Sequence, residues 1–413
     1  MTHPKMRYTY VGVDSHRDTH TAVFLDCFFE KLGEITFENL PSKFGEFLEN
    51  ALKLRQEGTE LLFGLEDASM YGRTLAVFLS DNGIEVKHVN ALLVARERKN
   101  RNIFEKTDSV DAECAARILL SKFGEIPGAV PQDKYWILKT LVTRRAFIVK
   151  NNASLKNHLH SLLIHHYPNY RALFPNIRIK AALAFFSRYP SPKTLEGTTV
   201  EELTDFFYAP SQGKVGEKKA RLILDTIEDT AVPFQELRDE AVRSAIRQTE
   251  YNLQEIERLD SMISGFLPQF NCTLASMNGI KTVTAAQLLS CIGDIRKFPS
   301  PAKLARYSGI APVTYASGQR DAQFVNRSGN RELNSILYLL ARRFIGTSAG
   351  KAVNPFLYEY YCRKVSEGKT KKQALKCVQR RLVNIIWGML TYNREYVNPA
   401  MIKVSEILDN TEE

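Results

Sequence analysis

The sequence predicts an α/β fold that turns all-helical: a mixed sheet with helices at the N-terminus, a long helical and coiled-coil middle, and a mostly helical C-terminal domain. Three observations lead there. Short runs rich in β-branched and aromatic residues alternate with helix-like stretches over residues 1–131. From Gln132 onward apolar residues recur at three- and four-residue steps, with no Gly or Pro for nearly three dozen residues in the first such stretch. At 413 residues the chain exceeds one ordinary core, so two or three domains of ~100–200 residues are expected.

The elements follow in order. Residues 7–14 (RYTYVGVD), 21–26 (TAVFLD) and 33–39 (GEITFEN) read as three strands separated by polar or Gly-containing turns. Ser42 opens an amphipathic helix through about Gln56. Then come the apolar strand ELLFGLE, a helix over about 70–80 ended by Asn82-Gly83, the strand IEVKHV, and a helix from about Thr107 to Ser121. The order βββαβαβα suits a mixed sheet covered by helices.

The stretch YWILKTLVTRRAFIVKNNASLKNHLHSLL reads as one long helix. A second runs through 241–267, where Val242, Ile246, Leu253, Ile256, Leu259, Ile263 and Phe266 keep the helical spacing. Two such helices suggest a hairpin or a coiled coil, within or between subunits. The span 168–240, punctuated by Pro168, Pro190, Pro192 and Pro210, reads as a smaller helical insertion. Expected limits are 1–131, 132–267 with the insertion 168–240, 268–400, and a tail at 401–413.

Hydrophobic and charged shares of 44% and 25% are those of a soluble globular protein. No apolar run approaches the ~18 residues of a membrane span, and MTHPKMRYTYVGVD lacks the apolar stretch of a signal peptide, so a cytoplasmic protein without membrane contact is expected. The cysteines (Cys27, Cys114, Cys272, Cys291, Cys362, Cys377) form no CxxC pair, which favours reduced thiols over a disulfide framework or a zinc knuckle.

The net charge of +10 is unevenly spread. Lys134 to Pro190 holds ten Lys/Arg and no acid; Lys303 to Arg381 holds sixteen against four acids. The rest of the chain is therefore net acidic. Localised positive charge in two segments points to phosphates, because neutralising them releases condensed counterions. Lys139, Arg144, Arg145, Lys150 and Lys156 of the acid-free segment are the candidate phosphate contacts.

Acidic residues form the first chemical constellation. Asp14 ends the first strand, Glu66 ends ELLFGLE, and Asp108 and Asp111 open the helix in KTDSVDAE. The C-terminal ends of adjacent parallel strands share an edge, so Asp14 and Glu66 can converge there. Asp108 and Asp111, three apart, share a helical face. Four carboxylates together call for a hard cation, and Mg²⁺ takes carboxylate oxygens together with substrate phosphate. Taken singly, a strand-end Asp is a turn residue, and Asp108 with Asp111 could be an N-cap and its partner. The neighbouring His16 and His20 invite a metal-ligand reading, but lying in a polar turn they are expected at the surface.

GVDSHRDTHTAVFLD, the Glu of LFGLEDAS and KTDSVDAECAARIL resemble the N-terminal domain of DEDD transposases, the insertion-sequence family numbered one-ten, which includes the Piv-type DNA invertases. The long segment from TLASMNGIKTVTAAQLL through GIAPVTYASG to NRELNSILY is similar to that family's C-terminal transposase domain. Resemblance covers most of 8–165 and 241–395 and leaves 168–240 unmatched. It implies a RuvC-like RNase H fold with Asp14, Glu66, Asp108 and Asp111 as ligands of Mg²⁺ (two ions, with Mn²⁺ as the alternative). It further implies a nucleophilic serine at Ser317, donor and target DNA, a structured bridge RNA as guide, and a multimer, either dimer or tetramer.

Two features of the C-terminal segment can also be read from the residues. LASMNGIKTVTAAQLL looks like a helix-hairpin-helix, whose turn at Gly279 and Lys281 would offer backbone N–H groups to a phosphate; an ordinary αα-turn is the alternative. Ser317-Gly318 lies in a turn-rich stretch flanked by Arg320, Arg327 and Arg331, which could hold the phosphate a serine attacks. Ser-Gly alone is a common turn, and only the family resemblance sets Ser317 above Ser308 and Ser328. A resolvase lacking the covalent step, or a protein that only binds nucleic acid, remain the rival classes.

Overall fold

The computed structural model describes residues 3–66, 70–126, 128–129, 133–227, 233–317, 320–327, 329–348 and 350–397. The tail expected at 401–413 lies outside them. The described residues fall into two compact units, one within 1–137, 273–280 and 287–413, the other within 138–272 and 281–286.

The first unit opens with β1 (Tyr8–Ser15), β2 (Thr19–Leu25), β3 (Lys31–Glu38), α1 (Pro41–Lys53), β4 (Glu60–Leu65), α2 (Arg73–Asp81), β5 (Glu85–His88), α3 (Ala91–Asn100) and α4 (Asp108–Ser121). The strands form one sheet in the order β3-β2-β1-β4-β5. The β1/β2 and β2/β3 pairs are antiparallel, and β1/β4 and β4/β5 are parallel. Hairpins followed by a crossover give this mixed sheet, consistent with an RNase H-like domain.

Side chains alternate across the sheet with a period of two. Val11, Val13, Ala22, Phe24, Phe63 and Leu65 pack with Phe44 and Phe47 of α1 and Leu75 of α2. Tyr10, Val23, Leu25 and Leu62 face the other way, onto Ala112, Ala115 and Leu119 of α4. The same parity assigns Asp14, His16 and Glu66 to the α4 side.

Two glycines let α4 lie that close. Gly12 and Gly64 are paired in the β1/β4 register. A Cβ at Gly12 would stand 2.0 Å from the Ala112 carbonyl oxygen and 2.3 Å from the Ala116 nitrogen, both backbone atoms. Gly12→Ala is therefore expected to force α4 off the sheet, costing about 3 kcal/mol as overpacking of a tight core. A thermal melt checks this; an unchanged midpoint would contradict so close a contact.

The sequence expectation omits α3. Its stretch ALLVARERKN buries only Val94 and has no pronounced apolar stripe. Asn90, whose side chain accepts from the Leu92 N–H at 2.8 Å, is the start signal that could have revealed it. The order becomes βββαβαβαα.

The second unit takes in the long helix α5 (Asp133–His166) from Leu138 onward, followed by α6 (Tyr170–Leu173), α7 (Lys180–Arg188), α8 (Val200–Ser211), α9 (Glu217–Thr226) and α10 (Gln235–Phe266). The expected insertion is helical and has its own aromatic core, with Phe174, Phe185, Phe186 and Phe207 fully buried. Leu159 and Leu163 of α5 and Val242 and Ile246 of α10 join that core. The apolar stripe of α10 is thus partly spent within the subunit. Beyond it, the Arg145 guanidinium pairs with the Asp260 carboxylate, linking the two long helices.

The chain continues with α11 (Thr282–Ile292), α12 (Pro301–Tyr307), β6 (Val313–Ser317), β7 (Arg320–Phe324), α13 (Arg331–Phe344), β8 (Thr347–Ser348), β9 (Lys351–Ala352), α14 (Pro355–Ser366) and α15 (Lys371–Tyr392). Leu333, Leu337 and Phe344 of α13 and Val378, Leu382 and Ile386 of α15 are buried. A single 3₁₀ turn, Leu274–Ser276, stands where the first helix of a helix-hairpin-helix is expected.

Candidate active site

Asp14 and Glu66 stand at neighbouring strand ends. Glu66 directly follows β4, and its N–H donates to the Val13 carbonyl at 3.1 Å, which carries the parallel register one step past the strand. Thr107 caps α4, its hydroxyl accepting from the Val110 N–H at 3.3 Å. Thr107 rather than Asp108 is the N-cap, so both Asp108 and Asp111 lie inside the first turn. Because α4 sits on the Gly12 backbone, that turn meets the end of β1. Asp14 and Asp111 are buried and Asp108 is exposed.

The electrostatics record the crowding. Burial pushes the Asp14 carboxyl above its ordinary range, with Asp108 and Asp111 adding to the effect and His16 opposing it. Glu66 is raised to about 7, first by burial and then by Asp14 and Asp111. Its Oε2 is buried without a hydrogen-bond partner. A carboxyl raised from 4.5 to about 7 holds more proton folded than unfolded between those values. Its contribution is present at acid pH and lost as pH rises through 7, where a cation would offset the repulsion.

Two further residues border the site, of which sequence reasoning set one aside and missed the other. His16 is at the surface as expected, half exposed, yet its Nε2 lies 3.1 Å from Asp14 Oδ2 and 3.2 Å from Asp108 Oδ1. β1 runs to Ser15, so the alternation that places Asp14 on the α4 side places His16 there too. Arg98, on α3, pairs with the Asp111 carboxylate and balances part of the negative charge. The expectation of a surface position fails outright for His20. It lies inside β2, fully buried, edge-on to Phe37 at 5.4 Å, and burial lowers its pKa to about 4.

The structure separates the basic candidates. Lys139, Arg144 and Lys150 are exposed on α5, and Lys156 is half-buried. Lys139 and Lys150 are eleven residues apart, about three turns, and so share a face that Arg144 does not. Arg145 is engaged by Asp260. Gly279, at φ 104°, has the Phe344 ring 2.5 Å from where a Cβ would be, which gives this glycine a packing role. Lys281 beside it is exposed.

Ser317 is the last residue of β6 and pairs in register with Arg320 across a hairpin. The expected turn-rich stretch is thus two short strands; Gly318 lies outside the described residues, as does Ser328. Ser308 is fully buried, and its hydroxyl donates to the Ala305 carbonyl at 3.0 Å, which removes it from reach of a substrate. Arg327 and Arg331 are exposed beside the hairpin in sequence. The loops around them are tied together: Asn330 N–H donates to the Tyr307 carbonyl at 2.7 Å, and Asn334 Nδ2 to the Ser308 carbonyl at 2.8 Å.

A mixed sheet with acids at its parallel strand ends and more acids in the first turn of a covering helix is consistent with an RNase H-like domain, a class whose acids suit divalent-metal phosphoryl transfer. Residues 11–168 match the DEDD transposase family of IS110, and residues 272–355 match the transposase family of IS116, IS110 and IS902. Together these regions exceed half of the chain, and the protein belongs to this transposase family. It is 25% identical over 406 residues to the insertion element IS116 protein of Streptomyces clavuligerus, covering 93% of this chain and 95% of that one. To the insertion element IS110 protein of Streptomyces coelicolor it is 27% identical over 340 residues, 81% and 82% of the two chains. A pilin gene-inverting protein of Moraxella bovis is 34% identical over 125 residues, 30% of this chain and 37% of that one. The enzyme class is accordingly a DNA transposase or recombinase. Among the described residues no helix is long and apolar enough to cross a membrane.

Proposed function

We propose that this protein is an insertion-sequence recombinase that cuts and rejoins donor and target DNA through a metal-dependent acidic tetrad and a covalent link to Ser317. It works as a homo-oligomer guided by a structured RNA. What supports the reading is that Asp14 and Glu66 stand at adjacent strand ends, that Asp108 and Asp111 raise the Asp14 carboxyl and Asp14 and Asp111 the Glu66 carboxyl, and that the matched transposase regions include Ser317.

The residues fit a divalent ion. Glu66 Oε2 is a buried oxygen with no other partner, and the neighbouring donors are hard carboxylate oxygens suited to Mg²⁺, or to Mn²⁺ in its place. Two such ions, when bound, stabilise charge on the attacking and leaving oxygens of a phosphoryl transfer.

Within this reading Arg98 holds the Asp111 carboxylate in place. Ser317 Oγ bonds to a DNA phosphorus while the bond from phosphorus to the sugar oxygen breaks, and the serine proton ends on the released sugar hydroxyl. Attack by a sugar hydroxyl of another strand reverses the step and frees the serine. Phosphodiester bonds are conserved, so no external energy source is required. Arg320, Arg327 and Arg331 hold the phosphate near the serine, and the exposed Lys281 contacts the backbone elsewhere.

Lys139, Arg144, Lys150 and Lys156 supply contacts along the duplex or guide. Changing Lys139 and Lys150 together to Gln is expected to flatten the salt dependence of binding by about two log-log units. A slope unchanged from wild type would return that helix face to solvent.

The reading is tested by giving the protein DNA with both element ends, Mg²⁺, and RNA transcribed from the noncoding flank. Rejoined junctions that require the RNA are expected. Cut ends without rejoining would indicate a resolvase, and rejoining without RNA would remove the guide.

A further inference from the structure

His16 stands closer to the acidic site than any role so far assigned to it requires. Its Nε2 faces two carboxylates at nearly equal distances, 3.1 Å to Asp14 Oδ2 and 3.2 Å to Asp108 Oδ1. The three donor atoms lie within 4.8 Å of one another. An octahedral ion with bonds of ~2.1 Å sets adjacent ligand atoms about 3 Å apart, which matches both spacings. An imidazole Nε2 carries at most one hydrogen, so it can make one good donation, while the geometry presents it equally to two acceptors.

The main chain that carries this side chain is also held. The His16 N–H donates to the Thr19 carbonyl at 3.0 Å, and Asn39 Nδ2 donates to the His16 carbonyl at 3.3 Å. The turn into β2 therefore fixes the backbone, and the strand alternation fixes the side of the sheet.

We propose that His16 is a nitrogen ligand of the divalent ion held by Asp14 and Asp108, and that it biases this position toward Mn²⁺ over Mg²⁺. The inference rests on the metal reading of the acidic site. Its chemistry is that of ligand softness: Mg²⁺ prefers oxygen alone, whereas first-row transition ions gain from an imidazole. The nitrogen would make the position more selective than four carboxylates could be.

The test uses the full-length protein and Mn²⁺ or Mg²⁺ alone, without DNA. Pulsed electron paramagnetic resonance on Mn²⁺-loaded protein with ¹⁵N-histidine should show one directly coordinated histidine nitrogen in wild type and none in His16→Ala. Calorimetry should show Mn²⁺ affinity falling about tenfold in His16→Ala, with Mg²⁺ affinity changing far less. His16→Gln, which keeps a hydrogen-bond donor near the carboxylates, should behave like His16→Ala. Should either variant fold poorly, the nitrogen coupling in wild type and the other variant still decide.

Mn²⁺ bound without histidine coupling, or coupling that persists in His16→Ala, would overturn the proposal while leaving the metal site intact; His16 would then only clamp α4 to β1. Rescue of Mn²⁺ affinity by His16→Gln would point the same way. Absence of any Mn²⁺ or Mg²⁺ binding by wild type would overturn the metal reading itself, and this inference with it.

Discussion

Asp14→Asn or Glu66→Gln is expected to lower DNA cleavage by about 10³-fold or more, since losing a metal contact removes several kcal/mol of transition-state stabilisation. DNA binding should persist, because the basic segments lie elsewhere in the chain. Stability supplies the control. Burial and neighbouring acids raise both carboxyls, so each amide relieves repulsion in metal-free buffer and should melt no lower than wild type at pH 8. Loss of cleavage together with a normal or raised melting temperature separates a catalytic defect from unfolding. Mg²⁺-dependent cleavage undiminished in both variants would end the metal assignment.

The second large effect is expected at Ser317→Ala. With the nucleophile gone, strand joining should fall below detection while metal binding and DNA binding remain. The change removes one hydroxyl at the end of a hairpin strand, so stability should shift by only about ±0.5 kcal/mol. A hydrolase with the same acids would use water and keep cutting. Retained joining by Ser317→Ala would therefore leave the acids in place and remove the serine from the mechanism.

Much of the N-terminal domain is legible in the sequence because its strands alternate and its turns are chemically marked. Asp14 and Glu66 follow from strand ends, and Asp108 and Asp111 from a helix start whose cap, Thr107, is one residue earlier than the alternative reading placed it. What was not legible depends on tertiary contact. Gly12 reads as an ordinary strand glycine until Ala112 and Ala116 are seen against its backbone. Arg98 sits on a helix with almost no buried face, so apolar periodicity is silent about it. His16 stands in the turn just past β1, as expected, but its place between Asp14 and Asp108 depends on α4 packing against the end of that strand, which local pattern does not show. His20 is obscured by the boundary of the second strand, since β2 begins at Thr19 rather than Thr21 and sends it into the core.

The C-terminal region shows the limits of motif reading. The turn at Gly279 matches a helix-hairpin-helix in sequence, yet a 3₁₀ turn precedes it and the Phe344 ring explains the glycine. The charge of Arg145 reads as one more phosphate contact, but Asp260 lies too far along the chain for local pattern to reveal the pair. Among the serines, burial excludes Ser308, which residue type alone could not do.

The most direct test of the account is to incubate wild-type protein with Mg²⁺, the RNA and DNA carrying the element ends, denature it, digest it, and map any DNA-linked peptide by mass spectrometry. The account predicts a single phosphoserine linkage at Ser317, absent when Asp14 is replaced by Asn. DNA cleaved and rejoined with no linkage to protein, or a linkage at another residue, would contradict it.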